Sequence, residues 1–228
     1  MPSRLLFALI AATVAVPASA APDRLIILRH GEKMNEWQLC PTGIERGEAL
    51  ASNYLGKGAA GSLFAAGETP EFLTITLHTL ELAAPAAATW GLPMTLWSSI
   101  PPNDSDETLG QRTREAAADL LTNPRWNGKT AVIVWEHHHI ADAKLDAANA
   151  DAPVTLYRLL KLDTLPEIPA TWSGDNYDYF WIVAMDAASG APKSVEIVRQ
   201  TFPTPYDSVP SNEWGQPNGL TSASQCQL

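Results

Sequence analysis

Four consecutive apolar residues, Leu25-Ile26-Ile27-Leu28, followed at once by Arg29-His30-Gly31, set the first limit on how this chain folds. Two of the four are β-branched and none alternates with a polar residue, so the run reads as a strand covered on both faces. A second such run, Thr130 to Trp135, leads directly into Glu136-His137-His138-His139. Strands covered on both faces require helices above and below the sheet, and the intervening sequence supplies them. Pro41-Thr42 opens a segment with apolar or small residues at Ile44, Ala49, Leu50 and Tyr54, a face expected to turn inward. Phe72 to Thr76 predicts a strand. Thr79 to Trp90 predicts an alanine-rich helix, interrupted by Pro85 and closed by Gly91. Met94 to Trp97 predicts a further strand, and Asp106 to Thr122 a helix capped by Ser105 or Asp106 and stopped by Asn123-Pro124. Tyr179 to Met185 and Ser194 to Gln200 flank Ala187-Ala188-Ser189-Gly190, the pattern of an antiparallel hairpin at a sheet edge. The expected fold class is therefore α/β: a three-layer α/β/α sandwich with a mostly parallel sheet and an antiparallel edge hairpin.

Residues 1–20 read as a targeting segment. Arg4 gives a positive start, Leu5 to Val16 an apolar run too short to span a bilayer, and Ala18-Ser19-Ala20 a small-residue cleavage site. Pro17 and the small residues argue against an uncleaved anchor. The expectation is a mature chain beginning at Ala21, periplasmic or secreted, with no stable membrane insertion once the signal peptide is removed. Residues 21–228 suffice for one core and contain no repeat, so one domain is expected, with residues 201–228 an irregular tail that wraps the surface or is partly disordered. Cys40 and Cys226 could pair in an oxidising compartment, but their sequence separation leaves the geometry open. Oligomeric state is not specified. A net charge of -10 with no basic run excludes nucleic acid as a natural partner. An acidic chain that binds phosphate has to gather its positive charge in one pocket.

All five histidines, His30, His78, His137, His138 and His139, come just after the ends of predicted strands. In open α/β sheets ligands bind beyond the carboxyl ends of the strands, so the five are expected to share one site. A neutral imidazole can attack phosphorus and later depart from it. A phosphoryl group beside it needs charged donors, which Arg29 offers as a planar fork and a second, protonated imidazole can supplement. Other readings are weaker. Strand geometry would put His137 and His139 on one face at a metal-ligand spacing, but a closed site would need Glu136 or Asp142 as well. Gly56-Lys57-Gly58-Ala59-Ala60-Gly61 satisfies a dinucleotide fingerprint literally, yet it comes after a predicted helix where that motif must come after a strand. The eight tryptophans are dispersed, and Trp135 and Trp181 lie in predicted buried strands, which favours core packing over a carbohydrate-binding face.

With these residues in view, the chain resembles the histidine phosphatase superfamily, also called phosphoglycerate mutase-like. The resemblance rests on Leu28-Arg29-His30-Gly31-Glu32, on Leu39-Cys40-Pro41-Thr42-Gly43-Ile44-Glu45-Arg46 as the first-helix pattern, and on Val132-Ile133-Val134-Trp135-Glu136-His137 as the second histidine motif. Trp181 to Phe202 is similar to a closing hairpin of small bacterial members. The resemblance implies a phosphatase acting on a small phosphorylated substrate, without metal or organic cofactor. It makes His30 the nucleophile, with Arg29 and His137 holding the phosphoryl group. The family's further arginine, aligned backward from Gly91-Leu92-Pro93, falls on His78, with Thr79 on the small position, Glu81 on the Gln or Glu, and Leu82 on the Thr. Phosphate binding by His78 would need its protonated form, so activity is expected to favour mildly acidic pH. Candidates for the general acid are Asp104, Asp106, Glu107 and Glu136. His138 and Lys33 stand where the phytase-like branch carries an acid and an arginine, which points away from that branch. A pocket that captures phosphorylated ligands with negligible turnover is the rival expectation.

Overall fold

The structure is a computed structural model that describes residues 21–100, 105–186 and 188–227; the expected signal peptide at 1–20, Asp104 and Ala187 of the expected turn lie outside the described residues. Among the described residues six strands form one sheet: β1 (Arg24–Arg29), β2 (Pro70–Thr74), β3 (Met94–Leu96), β4 (Thr130–Trp135), β5 (Tyr179–Met185) and β6 (Pro192–Arg199). Their order is β3-β2-β4-β1-β5-β6. β1, β2, β3 and β4 pair in parallel, whereas β5 runs antiparallel to both β1 and β6. The expected mostly parallel sheet with an antiparallel edge hairpin is borne out.

Alternation along the strands explains the layers. Ile26, Leu28, Phe72, Val132, Val134 and Phe180 pack on one face, under helix α1 (Pro41–Leu50, continued by a π turn at Ala51–Leu55) and helix α2 (Leu77–Trp90). Leu25, Ile27, Leu73, Ala131, Ile133 and Trp135 pack on the other, under α3 (Asp106–Thr122) and the one-turn helices α4 (His137–Ile140) and α6 (Leu156–Leu159), with α5 (Ala143–Ala148) between them carrying no buried residue. Trp126, Trp135, Trp172 and Trp181 are fully buried, and the rings of Trp172 and Trp181 lie 4.6 Å apart, so tryptophan does serve the core. Trp135 keeps its indole N–H satisfied by donating to Thr113 Oγ1 at 2.9 Å.

The structure departs from the sequence expectations at several points, each with a local cause. Ile44 is 46 % exposed. The inward face of α1 is instead Gly43, Arg46, Gly47, Ala49 and Leu50. The two glycines explain this: a Cβ at Gly43 would overlap the Glu32 carbonyl, and one at Gly47 would lie 3.2 Å from Leu82 O, so close backbone approach decides which face turns in. β2 ends at Thr74 and α2 starts at Leu77, because Thr76 and Thr79 form a reciprocal capping box. α2 passes through Pro85 without interruption and closes at Gly91 in the left-handed conformation, φ 65°. Gly56–Gly61 comes after the π turn and precedes β2 by a loop, which is not the strand-to-helix context a dinucleotide needs. Residues 201–227 take an irregular course, pinned by a Cys40–Cys226 disulfide whose Cα atoms are 5.1 Å apart. No described helix is long and apolar enough to cross a membrane.

Candidate active site

β2, β4 and β1 are neighbours, and their carboxyl ends release Thr76 and His78, Glu136 and His137, and Arg29 and His30 onto one edge of the sheet. From β1 the chain leaves toward the α1 face and from β4 toward the α4 face, so a crevice opens between two adjacent strands at a topological switch point. The backbone N–H of His30 donates to Trp135 O at 3.0 Å and carries the ladder one residue beyond the strand.

His30 is 1 % exposed. Its Nδ1 lies 2.7 Å from Gly31 O and must donate there, which assigns the tautomer and leaves Nε2 with a lone pair. That lone pair and the Nδ1 lone pair of His137 each face Arg29 Nη2 at 3.2 Å, and the two imidazole nitrogens are 3.3 Å apart. The guanidinium therefore bridges both rings. Its other end donates to Gly174 O at 2.7 Å and Ser173 O at 3.3 Å, and its plane stacks over Tyr177 at 3.9 Å. Arg29 Nε is buried and lacks a hydrogen-bond partner. Burial pushes His30 well below the ordinary histidine range; the charge of Glu136 opposes that and Arg29 reinforces it. Burial, then Arg29, does the same to His137. Both rings are thus neutral at pH 7, as an imidazole nucleophile must be.

Glu136 completes the group. Its Oε2 lies 3.5 Å from His30 Nε2, while Oε1 accepts from Thr76 Oγ1 at 3.0 Å and pairs with His78 Nε2. The second ring nitrogen of His78 faces Glu36 O at 3.2 Å. Both His78 nitrogens therefore face oxygen atoms. Burial alone would raise the Glu136 carboxyl, but the neighbouring His30, the hydrogen bond from His78 and the nearby Lys33 outweigh it and hold the group well below the ordinary carboxylate range.

Beneath the site lies a second buried pair, in which Arg46 donates to Glu32 Oε2 at 3.0 Å and Oε1 at 2.6 Å. Arg46 also reaches Gln200 Oε1 at 3.3 Å and Pro210 O at 2.8 Å. This bidentate clamp ties α1 and the tail to the residue two positions after His30.

Of the residues expected to act together, Arg29, His30, His78 and His137 do converge: the His30 ring centroid is 5.1 Å from that of His78 and 5.4 Å from that of His137. The expectation that all five histidines share the site is corrected. The chain turns helical at His137 rather than continuing as a strand, so successive side chains fan apart. His138 is exposed and bonds Asp142 at 2.6 Å, whereas His139 is buried and its Nδ1 donates to Val154 O at 3.0 Å. Among the acid candidates Glu136 alone of the described residues stands at His30; Asp106 lies 4.0 Å from His139, and Glu107 is exposed on α3. Tyr177 and the carbonyls of Ser173 and Gly174 carried no sequence signal, since they come from a loop without period. His30, Glu136 and His137 could by distance ligate a metal, their ligand atoms lying within 4.8 Å of one another. The Arg29 guanidinium already engages both imidazole lone pairs and opposes a dication, so the set suits an anion better.

No family model matches this chain, and no curated protein matches it. Among solved structures it is similar to native mycobacterial glucosyl-3-phosphoglycerate phosphatase, at 15 % identity over 78 % of this chain and 98 % of that one, with a TM-score of 0.43. The complex of that enzyme with inorganic phosphate matches at 14 % identity over 87 % and 100 %, with a TM-score of 0.43. A mycobacterial hydrolase, hydrolase 2, matches at 16 % identity over 82 % and 94 %, also with a TM-score of 0.43.

Proposed function

We propose that this chain is an exported phosphomonoesterase that transfers the phosphoryl group of a small substrate to His30 and then to water. The observation that carries the reading is the arrangement of His30, Arg29 and His137: a neutral imidazole fixed by Gly31 O, with its Nε2 lone pair 3.2 Å from a buried guanidinium that also touches a second neutral imidazole. A phosphoryl group approaching Nε2 would take over those guanidinium protons, and Arg29 Nε offers another donor. Each charged hydrogen bond of this kind contributes about 1.5–3 kcal/mol. No metal or organic cofactor takes part in this reading.

The test is hydrolysis of p-nitrophenyl phosphate by the purified protein. His30→Gln is expected to lower kcat at least about a thousandfold, as loss of a nucleophile does. A His30→Gln variant with full activity would refute the assignment. Export rests on residues 1–20, and the expected mature terminus is Ala21, checked by sequencing the terminus of protein recovered outside the cytoplasm. One observation favours a pocket that binds without turnover: Glu136, the acid candidate that stands 3.5 Å from the nucleophile, is held well below the ordinary carboxylate range and has no proton of its own to give a leaving group. In that case phosphate would bind with hydrolysis absent.

A further inference from the structure

The charge beside His30 is poorly matched to a doubly charged ligand. Arg29 contributes one positive charge that touches the nucleophile. His78 Nε2 is spent against Glu136 Oε1, and the other oxygen of that carboxylate, Oε2, lies 3.5 Å from His30 Nε2, beside the atom that phosphorus must reach. A phosphoryl oxygen brought to that place meets a carboxylate oxygen. Two anionic oxygens in contact repel strongly at a buried site, whereas a proton between them makes a short, charge-assisted hydrogen bond.

We propose, resting on the phosphoryl-transfer reading above, that the site selects a singly protonated phosphoryl group whose P–O–H donates to Glu136 Oε2, and that Glu136 relays this proton to the leaving group. In the first step the His30 Nε2 lone pair forms the N–P bond as the bond from phosphorus to the leaving oxygen breaks. The phosphoryl proton passes to Glu136 and from it to the departing oxygen, so the product leaves as a neutral alcohol and Glu136 is again ionised. In the second step Glu136 takes a proton from water, the water oxygen bonds phosphorus, the N–P bond breaks with its electron pair returning to Nε2, and Glu136 hands the proton to the released phosphate. No further reactant is needed. His78 and Thr76 are positioning residues that hold Oε1 so that Oε2 faces His30.

The surroundings are consistent with this from every side. Glu136 is faced by Arg29 from the end of β1, by His30 and Lys33 from the loop after it, by Thr76 and His78 from the start of α2, and by His137 and His139 from α4. Because the hydrogen bond from His78 and the nearby Lys33 help to keep Glu136 proton-poor, the proton arrives with the ligand. Because burial keeps His30 unprotonated, the nucleophile remains competent in mildly acidic solution, where a phosphomonoester with a second pKa of about 6 retains its second proton.

Calorimetric titration of the purified protein with inorganic phosphate, thiophosphate and methylphosphonate between pH 5 and 9 tests the proposal. Affinity is expected to fall about tenfold per pH unit above the second ionisation of each ligand, so the fall occurs at lower pH for thiophosphate than for methylphosphonate. Glu136→Gln is expected to flatten it to less than about twofold over the same range, since an amide can donate to the dianion. A fall at one common pH for all three ligands would overturn the proposal, because it would mark a protein group. So would affinity that rises or stays level with pH, or a folded Glu136→Gln variant that keeps the original slope. The comparison among ligands uses the unaltered chain and stands even if the variant fails to fold. Binding of none of the three at any pH would remove the phosphoryl reading itself.

Discussion

Replacing Arg46 by methionine tests whether the clamp beneath the site is structural in the strong sense. Arg46 is 1 % exposed and gives two hydrogen bonds to Glu32, which is itself 0 % exposed, and one each to Gln200 and Pro210. Methionine fills most of the volume but leaves a buried carboxylate without a counter-charge. Breaking one side of a buried ion pair costs about 3–5 kcal/mol. Against a total stability of about 5–15 kcal/mol, that is a large fraction of what the fold has. Urea denaturation monitored by tryptophan fluorescence reads the change as a shift of the midpoint with an unaltered m-value. The double variant Glu32→Met with Arg46→Met removes the orphaned charge as well, and should regain at least about 2 kcal/mol relative to Arg46→Met alone. A loss below about 1 kcal/mol in the single variant would show the pair to be worth no more than an exposed one and so refute its role. Equal losses in the single and double variants would refute it too.

Other perturbations probe the same geometry. Gly43→Ala is expected to lower stability by about 1–3 kcal/mol, because the new Cβ overlaps the Glu32 carbonyl and must push α1 away; an unchanged melting curve would contradict that contact. Replacing Cys40 and Cys226 together by serine opens a loop closed across 186 residues, and on the chain-entropy account should cost about 5 kcal/mol, read from urea midpoints of the oxidised protein and the variant. Burial keeps His30 and His137 neutral in the folded chain. Below about pH 6.5 the unfolded chain takes up those protons and the folded chain does not, so stability is complete above that pH and declines below it. The slope is about 1.4 kcal/mol per pH unit for each such histidine, and His30→Gln should remove one of them; an unchanged slope between pH 5 and 6.5 would count against a neutral, buried His30.

Much of the fold was legible because buried parallel strands leave a strong mark. Leu25 to Leu28 and Ala131 to Trp135 are apolar without alternation, and they lie side by side at the centre of the sheet. The residues released at the ends of such strands were legible as well, which is why sequence alone points to Arg29, His30, His78 and His137. The rest is hidden for physical reasons. The inward face of α1 is set by glycines and an ion-paired arginine, features that a hydrophobic pattern does not register. The histidine run carries no helical signal, because the single turn His137–Ile140 is too short to show a period. Tyr177, Ser173 and Gly174 reach Arg29 from a loop about 145 residues away in sequence, a contact that only the folded chain brings about. The pairing of His78 with Glu136 across 58 residues is of the same kind.

Whether His30 carries the phosphoryl group can be read from the protein itself. Phosphohistidine survives alkali and is lost in acid, so the protein should be mixed briefly with a labelled aryl phosphate, quenched in alkali, digested and sequenced by mass spectrometry. Acid-labile phosphate is expected on the peptide bearing Arg29-His30-Gly31, and is expected to be absent from the His30→Gln variant. Hydrolysis that proceeds with no phosphate on His30, or with the label on another residue, would contradict phosphoryl transfer through this histidine.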